Sequence, residues 1–114
     1  MDHPTFQHGL SLFNTGQYFD AHEVWEDVWR AAPAEEKKLL QGMIQIAVAL
    51  HHQSRGNPAG ARSLLARAQR NLSPYPESYA GLNLAAVRQE ITACQQALAA
   101  GQPCNFQVNL QISN

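Results

Sequence analysis

Residues 13–30 read FNTGQYFDAHEVWEDVWR, and this stretch decides the fold because it joins two helices through a very short turn. Gly16 is the residue type that ends a helix in the left-handed conformation, and the helical pattern resumes at Tyr18. The second helix is predicted to stop near Ala31, since the residue before Pro33 is disfavoured in a helix. The stretch therefore predicts a helical hairpin.

The same kinds of signal predict three more helices downstream. The third helix begins at Pro33 and ends before Gly56, and Asn57 then caps a fourth helix. A fifth is capped by Asn83 and closed by Gly101. The five predicted helices cover about residues 4–15, 18–31, 33–55, 57–72 and 83–101.

A weak internal repeat favours two stacked helical hairpins. The chain has Gly16, Ala21 and Arg30, and forty residues later it has Gly56, Ala61 and Arg70. A length of 114 residues suits one domain with one core. The prediction is an all-α, single-domain bundle over residues 1–114, with a helical core at about 4–101 and an extended tail at 102–114.

The tail carries a different pattern from the helices. Residues 106–112, FQVNLQI, alternate apolar and polar side chains, which is typical of a half-buried extended segment. No other segment has the pattern of a strand partner for it. We expect the tail to lie across the bundle; pairing with a second chain is the alternative and leaves room for a homodimer.

Charge and cysteine content limit the function classes. A net charge of -1 with 15% charged residues disfavours a dedicated nucleic-acid binder. Residues 1–8 show no signal-peptide pattern, and the longest apolar-rich run, residues 43–50, is too short for a membrane span. Cys94 and Cys104 are too few for a disulfide-rich secreted fold, and their spacing of ten matches no zinc or redox motif. We expect a cytoplasmic protein with reduced, inert thiols.

The second helix carries a polar stripe. His22, Glu26 and Trp29 fall on one side of it, with Glu23 beside them. A histidine and a glutamate four residues apart can ligate a metal, orient a general base, or form an ordinary intrahelical pair. The sequence HEVWE lacks the second histidine of the HExxH zinc proteases, so that class is rejected.

The third helix offers partners for this stripe. Gln41, Gln45 and His52 interrupt its apolar residues, and buried amides and imidazoles need polar partners. The prediction is a site built from both helices, either a ligand pocket or an internal polar network. His51 points elsewhere on the helical wheel and is interpreted as structural or peripheral.

Three functions other than the binding of a small organic ligand stay open. A divalent metal ion could be held by His22, Glu26 and His52. As an enzyme, the protein would use His22 as general base, oriented by Glu26 or Glu23, with the glutamines placing the substrate. The third use lies elsewhere, on a face that could bind protein or RNA; a solvated surface explains its arginines as well. That face carries Arg55, Arg62, Arg67 and Arg70.

Two sequence blocks resemble a known family. The first block, FNTGQYFDAHEVWEDVW, and the second, LLQGMIQIAVALHHQSRGNPAGARSLL, are similar to the family called domain of unknown function 309. The matching positions are Phe13, Gly16, Tyr18, Ala21, His22, Glu23, Glu26 and Trp29, then Gln41, Gly42, Gln45, His52, Gly56 and Asn57. The resemblance implies an all-helical fold and the same polar constellation, and it implies no reaction, cofactor or substrate.

The leading hypothesis is a small binding module. It places a small polar ligand or a divalent ion in a pocket between the second and third helices. The predicted ligand-binding residues are His22, Glu26, Trp29, Gln41, Gln45 and His52.

Overall fold

The computed structural model of the chain describes residues 1–106, and within them the predicted all-α bundle is confirmed. Helix bounds differ from the predicted ones by at most two residues. The elements are α1 His3–Asn14, α2 Tyr18–Ala31, α3 Ala34–Ser54, α4 Pro58–Leu72, β1 Ser78–Tyr79, β2 Leu82–Asn83 and α5 Leu84–Ala99. The alternating stretch predicted to be extended lies, apart from Phe106, outside the described residues.

The predicted caps form as expected. The side chain of Asn57 accepts a hydrogen bond from the backbone N–H of Gly60 at 3.0 Å. Asn83 accepts one from the N–H of Ala86 at 3.0 Å. Each bond satisfies a donor that the first helical turn leaves without a partner, which explains where α4 and α5 begin.

The turn between α1 and α2 has the hydrogen bonds of a Schellman motif. The N–H of Gln17 donates to the carbonyl of Leu12 at 2.8 Å, and that of Gly16 to Phe13 at 3.0 Å. Gly16 has a φ of 82°, and Gly56 repeats the geometry with a φ of 77° between α3 and α4. Glycine is suited to both positions because a Cβ is strained at such angles.

Helix α3 lies at the centre of the bundle, with α2 on one side and α4 on the other; α1 packs on α2, and α5 packs on α4. Contact on two sides explains why α3 is apolar over most of its surface. Its buried residues are Leu39, Leu40, Gly42, Met43, Ile46, Ala47, Ala49 and Leu50. None of the helices within residues 1–106 is long and apolar enough to cross a membrane.

A small hairpin replaces part of the predicted loop before α5. Strand β1 pairs antiparallel with β2 through only two residues each. Ala80 and Gly81 have φ values of 51° and 80°, the positive angles of a tight hairpin turn. Strands of two residues carry no detectable alternation, so the sequence pattern did not predict them.

The expectation of reduced, unpaired thiols was wrong. Cys94 and Cys104 form a disulfide, with Cα atoms 4.9 Å apart. The chain turns at Gly101 after α5 and returns, so that Cys104 meets the buried face of the helix that it has just left. The Gln53 side chain holds this segment from α3: its Nε2 donates to the Cys104 carbonyl at 2.8 Å, and its Oε1 accepts from the Cys104 N–H.

Candidate functional site

The predicted stripe on α2 is present at the surface of the bundle. His22, Glu26 and Trp29 are half-buried, whereas Glu23 is exposed on the same helix. Trp25, one turn away, is fully buried in the core. The stripe therefore lies along the border between the core and the solvent.

His22 makes two contacts with oxygen atoms. Its Nε2 lies 2.9 Å from Oε1 of Glu26, and its Nδ1 lies 3.1 Å from the backbone carbonyl of Phe19. A general base needs a ring nitrogen that faces the substrate. Because both nitrogens face protein oxygens, this arrangement leaves none free for that task.

An exposed aromatic ring lies beside His22. Phe19 is 50% exposed, and its centroid lies 5.2 Å from that of His22 and 5.4 Å from that of His51. His51, predicted to be peripheral, thus contacts α2 at the surface. A surface cleft lies further along the two helices.

A surface cleft of about 250 Å³ opens between α2 and α3. It is lined by Glu26, Trp29, Arg30, Gln41 and Ile44. Glu26, Trp29 and Gln41 were predicted as ligand-binding residues, and the structure brings them together. The prediction missed Arg30 and Ile44, although helical spacing could have found them, at four residues after Glu26 and three after Gln41.

The charges of the cleft are partly paired. Arg30 Nη1 lies 2.5 Å from Oδ1 of Asp27, and its Nη2 lies 3.4 Å from Oε2 of Glu26. The side chains of Arg30 and Glu26 keep 63% and 39% of their surface exposed. Both charges are therefore accessible to a molecule in the cleft.

Lys37 holds the aromatic wall in place. Its Nζ donates to the Trp29 carbonyl at 2.9 Å and lies 4.3 Å from the centroid of the Trp29 ring. A cation over an indole face is an attractive contact. The indole N–H of Trp29 is buried and has no partner within residues 1–106. The sequence pattern gave no sign of Lys37, because it lies eight residues beyond the ring.

Two of the predicted pocket residues face away from the cleft. Gln45 is half-buried and accepts a hydrogen bond at 2.9 Å from Asn71 of α4. His52 Nδ1 lies 3.3 Å from Nδ2 of Asn57, in the turn after α3. Gln41 is exposed. The expectation that these three side chains are buried and bonded to α2 was wrong, because the polar positions of α3 divide between its two sides.

The suggested metal ligands do not come together. Within the described part of the chain, no group of three or more His, Cys, Asp or Glu side chains could hold a metal ion. His22 and Glu26 contact each other, but His52 lies in the last turn of α3, beside Asn57. The expected set of three ligands is therefore not assembled.

Two other surfaces have fewer features of a binding site than the cleft. The four arginines of the suggested interaction face are all exposed: Arg55, Arg62, Arg67 and Arg70. A second depression, of about 310 Å³, lies along α5 and includes Arg88. A single helix lines it, and Arg88 is already engaged, since its Nη2 donates to the carbonyls of Leu72 and Tyr75. Neither surface combines two elements as the cleft does.

Two groups with shifted pKa values lie away from the cleft. Hydrogen bonds from the Thr5 hydroxyl and backbone N–H lower the pKa of Asp2, which caps α1. Desolvation raises the pKa of Tyr79 in β1, and the charge of nearby Glu36 adds to the effect. Both shifts are explained by local structure and indicate no catalytic group.

Comparison with known proteins identifies the family of the chain. A family model described as a domain of unknown function (DUF309) matches residues 6–64. An uncharacterised protein of Aquifex aeolicus (strain VF5) is 31% identical over 100 residues, covering 87% of this chain and 30% of that protein. The uncharacterised protein YpuF of Bacillus subtilis (strain 168) is 44% identical over 59 residues, or 51% of this chain and 34% of YpuF.

The chain spans about a third of the length of these relatives. The matched region, residues 6–64, contains most of α1, the whole of α2 and α3, and all five residues that line the cleft. Family model, relatives and helical fold agree, and the chain belongs to the DUF309 family of domains of unknown function.

Proposed function

We propose that this protein is a binding module and that a small polar ligand occupies the cleft between α2 and α3. The observation that carries the proposal is the composition of the cleft wall. Glu26 and Arg30 offer opposite charges, Gln41 offers an amide, and Trp29 and Ile44 offer apolar surface. A few polar groups set among apolar ones are typical of small-molecule sites.

The size of the cleft limits the ligand. Sites for drug-sized molecules have roughly 300–1,000 Å³. A cleft of about 250 Å³ favours a smaller molecule. Both charges are accessible to water, which screens their interactions, so they suit weak and reversible binding better than tight retention.

The alternative functions gain less support. The enzyme hypothesis needs a free nitrogen on His22, and both nitrogens face protein oxygens. The arginine face rests on exposure alone, which an ordinary solvated helix also explains. The cleft therefore remains the best-supported site.

The two tryptophans allow a direct test by NMR. In protein labelled with ¹⁵N, Trp29 and Trp25 give the two indole N–H signals, one from the cleft wall and one from the core. The probes are amino acids, simple amides, monosaccharides, nucleosides and short carboxylic acids at millimolar concentration. A ligand in the cleft should move the Trp29 signal saturably and leave the Trp25 signal in place.

Variants distinguish the cleft from other surfaces. Gln41→Ala should weaken binding of any active probe, whereas Gln7→Ala, an exposed glutamine on α1, should not. If no probe moves the Trp29 signal, or if both variants behave alike, the proposed function is wrong.

A further inference from the structure

The Glu26 carboxylate and the Arg30 guanidinium each have one close partner and one more distant partner. Glu26 Oε1 contacts His22 at 2.9 Å, and Arg30 Nη1 contacts Asp27 at 2.5 Å. The remaining atoms, Oε2 of Glu26 and Nη2 of Arg30, face each other at 3.4 Å. Charge-assisted hydrogen bonds between such groups are normally about 2.7–2.9 Å long. This contact, between two residues four apart on α2, is therefore weak.

The close partners keep both charges in position if this weak contact opens. His22 continues to orient the carboxylate, and Asp27 continues to orient the guanidinium. One carboxylate oxygen and one guanidinium nitrogen then become available next to each other. They match a ligand that carries an ammonium and a carboxylate close together.

We propose that the ligand of this cleft is a zwitterion of the α-amino acid class. Its ammonium group donates to Glu26, and its carboxylate accepts from Arg30, so that two short bonds replace one long one. This inference rests on the proposed function and names the ligand class of the same site. It involves no covalent step.

The other residues that line the cleft favour one type of side chain on the ligand. Trp29 and Ile44 present apolar surface, and Lys37, which is bonded to the Trp29 backbone carbonyl, contacts the indole ring with its ammonium group. The volume of about 250 Å³ admits a molecule of about the size of one amino acid. An apolar or aromatic amino acid therefore fits better than a charged one. Because the Arg30 side chain is exposed and the Glu26 side chain is partly exposed, the expected Kd is on the order of 1 mM.

Blocked amino acids test the two ends of the ligand separately. The probes are L-phenylalanine, N-acetyl-L-phenylalanine, which lacks the ammonium, and L-phenylalaninamide, which lacks the carboxylate. Kd is measured from the Trp29 indole signal of the full chain. L-phenylalanine should bind, and each blocked form should bind about tenfold more weakly, since one charge-assisted bond is lost.

Charge-neutralising variants assign each end to a residue. Glu26→Gln should abolish the preference for L-phenylalanine over its N-acetyl form, and Arg30→Gln should abolish the preference over its amide. The matched controls are Glu35→Gln on α3 and Arg67→Gln on α4, both exposed and outside the cleft lining. The controls should leave all three Kd values unchanged.

The outcomes separate this inference from the proposed function. Equal binding of the free and blocked forms overturns the zwitterion and leaves a cleft that binds the aromatic ring. A Trp29 signal that responds to a sugar or nucleoside but not to L-phenylalanine also overturns it while the binding function stands. A Trp29 signal that responds to no probe overturns both.

Discussion

The indole nitrogen of Trp25 donates a 3.1 Å hydrogen bond to the backbone carbonyl of Phe6, nineteen residues earlier on α1. The Trp25 ring also stacks on the Phe6 ring, with centroids 5.4 Å apart. Because both side chains are fully buried, the bond satisfies a donor that would otherwise cost stability. Trp25 thus joins α1 to α2, whereas Trp29 on the same helix faces the cleft.

The close approach of Trp25 to α1 predicts a large effect of Gly9→Ala. A Cβ on Gly9 would overlap the Trp25 indole, 2.9 Å from its Cε2 and closer still to two other ring atoms. We expect a loss of about 1–3 kcal/mol in the free energy of unfolding, because a buried indole has little room to move. Urea denaturation of the variant and of the native chain measures this difference in the free energy of unfolding. Gly42→Ala is the comparison and should cost less, since its Cβ would come no closer than 2.9 Å to the Leu72 side chain.

The Cys94–Cys104 disulfide predicts a redox-dependent stability. For a closed loop of this length the bond is expected to contribute roughly 2–3 kcal/mol, mainly by restricting the unfolded chain. Thermal melting with and without dithiothreitol should therefore show a lower Tm in the reductant. The double variant Cys94→Ser with Cys104→Ser should melt at one temperature in both conditions. If the native chain has the same Tm with and without dithiothreitol, the disulfide does not contribute to stability as expected.

The cap of α1 predicts a specific dependence on pH. Hydrogen bonds from Thr5 lower the pKa of Asp2 below its ordinary value of 3.8. The charged cap therefore stabilises the fold above pH 3.8 or so, and this contribution is lost as the pH falls through the lowered pKa. Asp2→Asn keeps the acceptor for the Thr5 N–H but has no charge. Its stability deficit should be present at pH 6 and vanish near pH 2, as measured by chemical denaturation; a deficit that grows with acid would refute the assignment.

The contact between His22 and Glu26 predicts a small coupling energy. Intrahelical pairs four residues apart contribute about 0.2–0.5 kcal/mol, and this one is partly exposed. A double-mutant cycle with His22→Ala and Glu26→Ala should give a coupling in that range. A coupling of several kcal/mol would mean that the pair belongs to a larger buried network.

Much of the fold could be predicted because its signals are local. The turn at Gly16 and the cap at Asn57 depend on a few neighbouring residues, and both form as expected. The hairpin at Ala80 and Gly81 was not predicted, since two-residue strands have no pattern of their own. Helix positions were therefore predictable, and the finer loop structure was not.

The candidate site was predicted in part. Glu26, Trp29 and Gln41 line one cleft, and helical spacing already places the first two on one face of α2. Gln45 and His52 turn towards other partners, since the rotation of α3 between α2 and α4 decides which side each position faces. That rotation is set by packing along the whole helix and cannot be inferred from one face.

The sequence by itself determined the number of helices, their order and the residues that begin and end them. Periodic apolar positions, caps and glycine turns act over a few residues, so their effects can be derived without the rest of the chain. The tertiary structure alone decided that Cys104 returns to Cys94, that Lys37 lies over Trp29, and that Gln45 bonds to Asn71 of α4. Such contacts depend on the angles at which helices pack, and those angles are set by the combined fit of many side chains rather than by any local pattern.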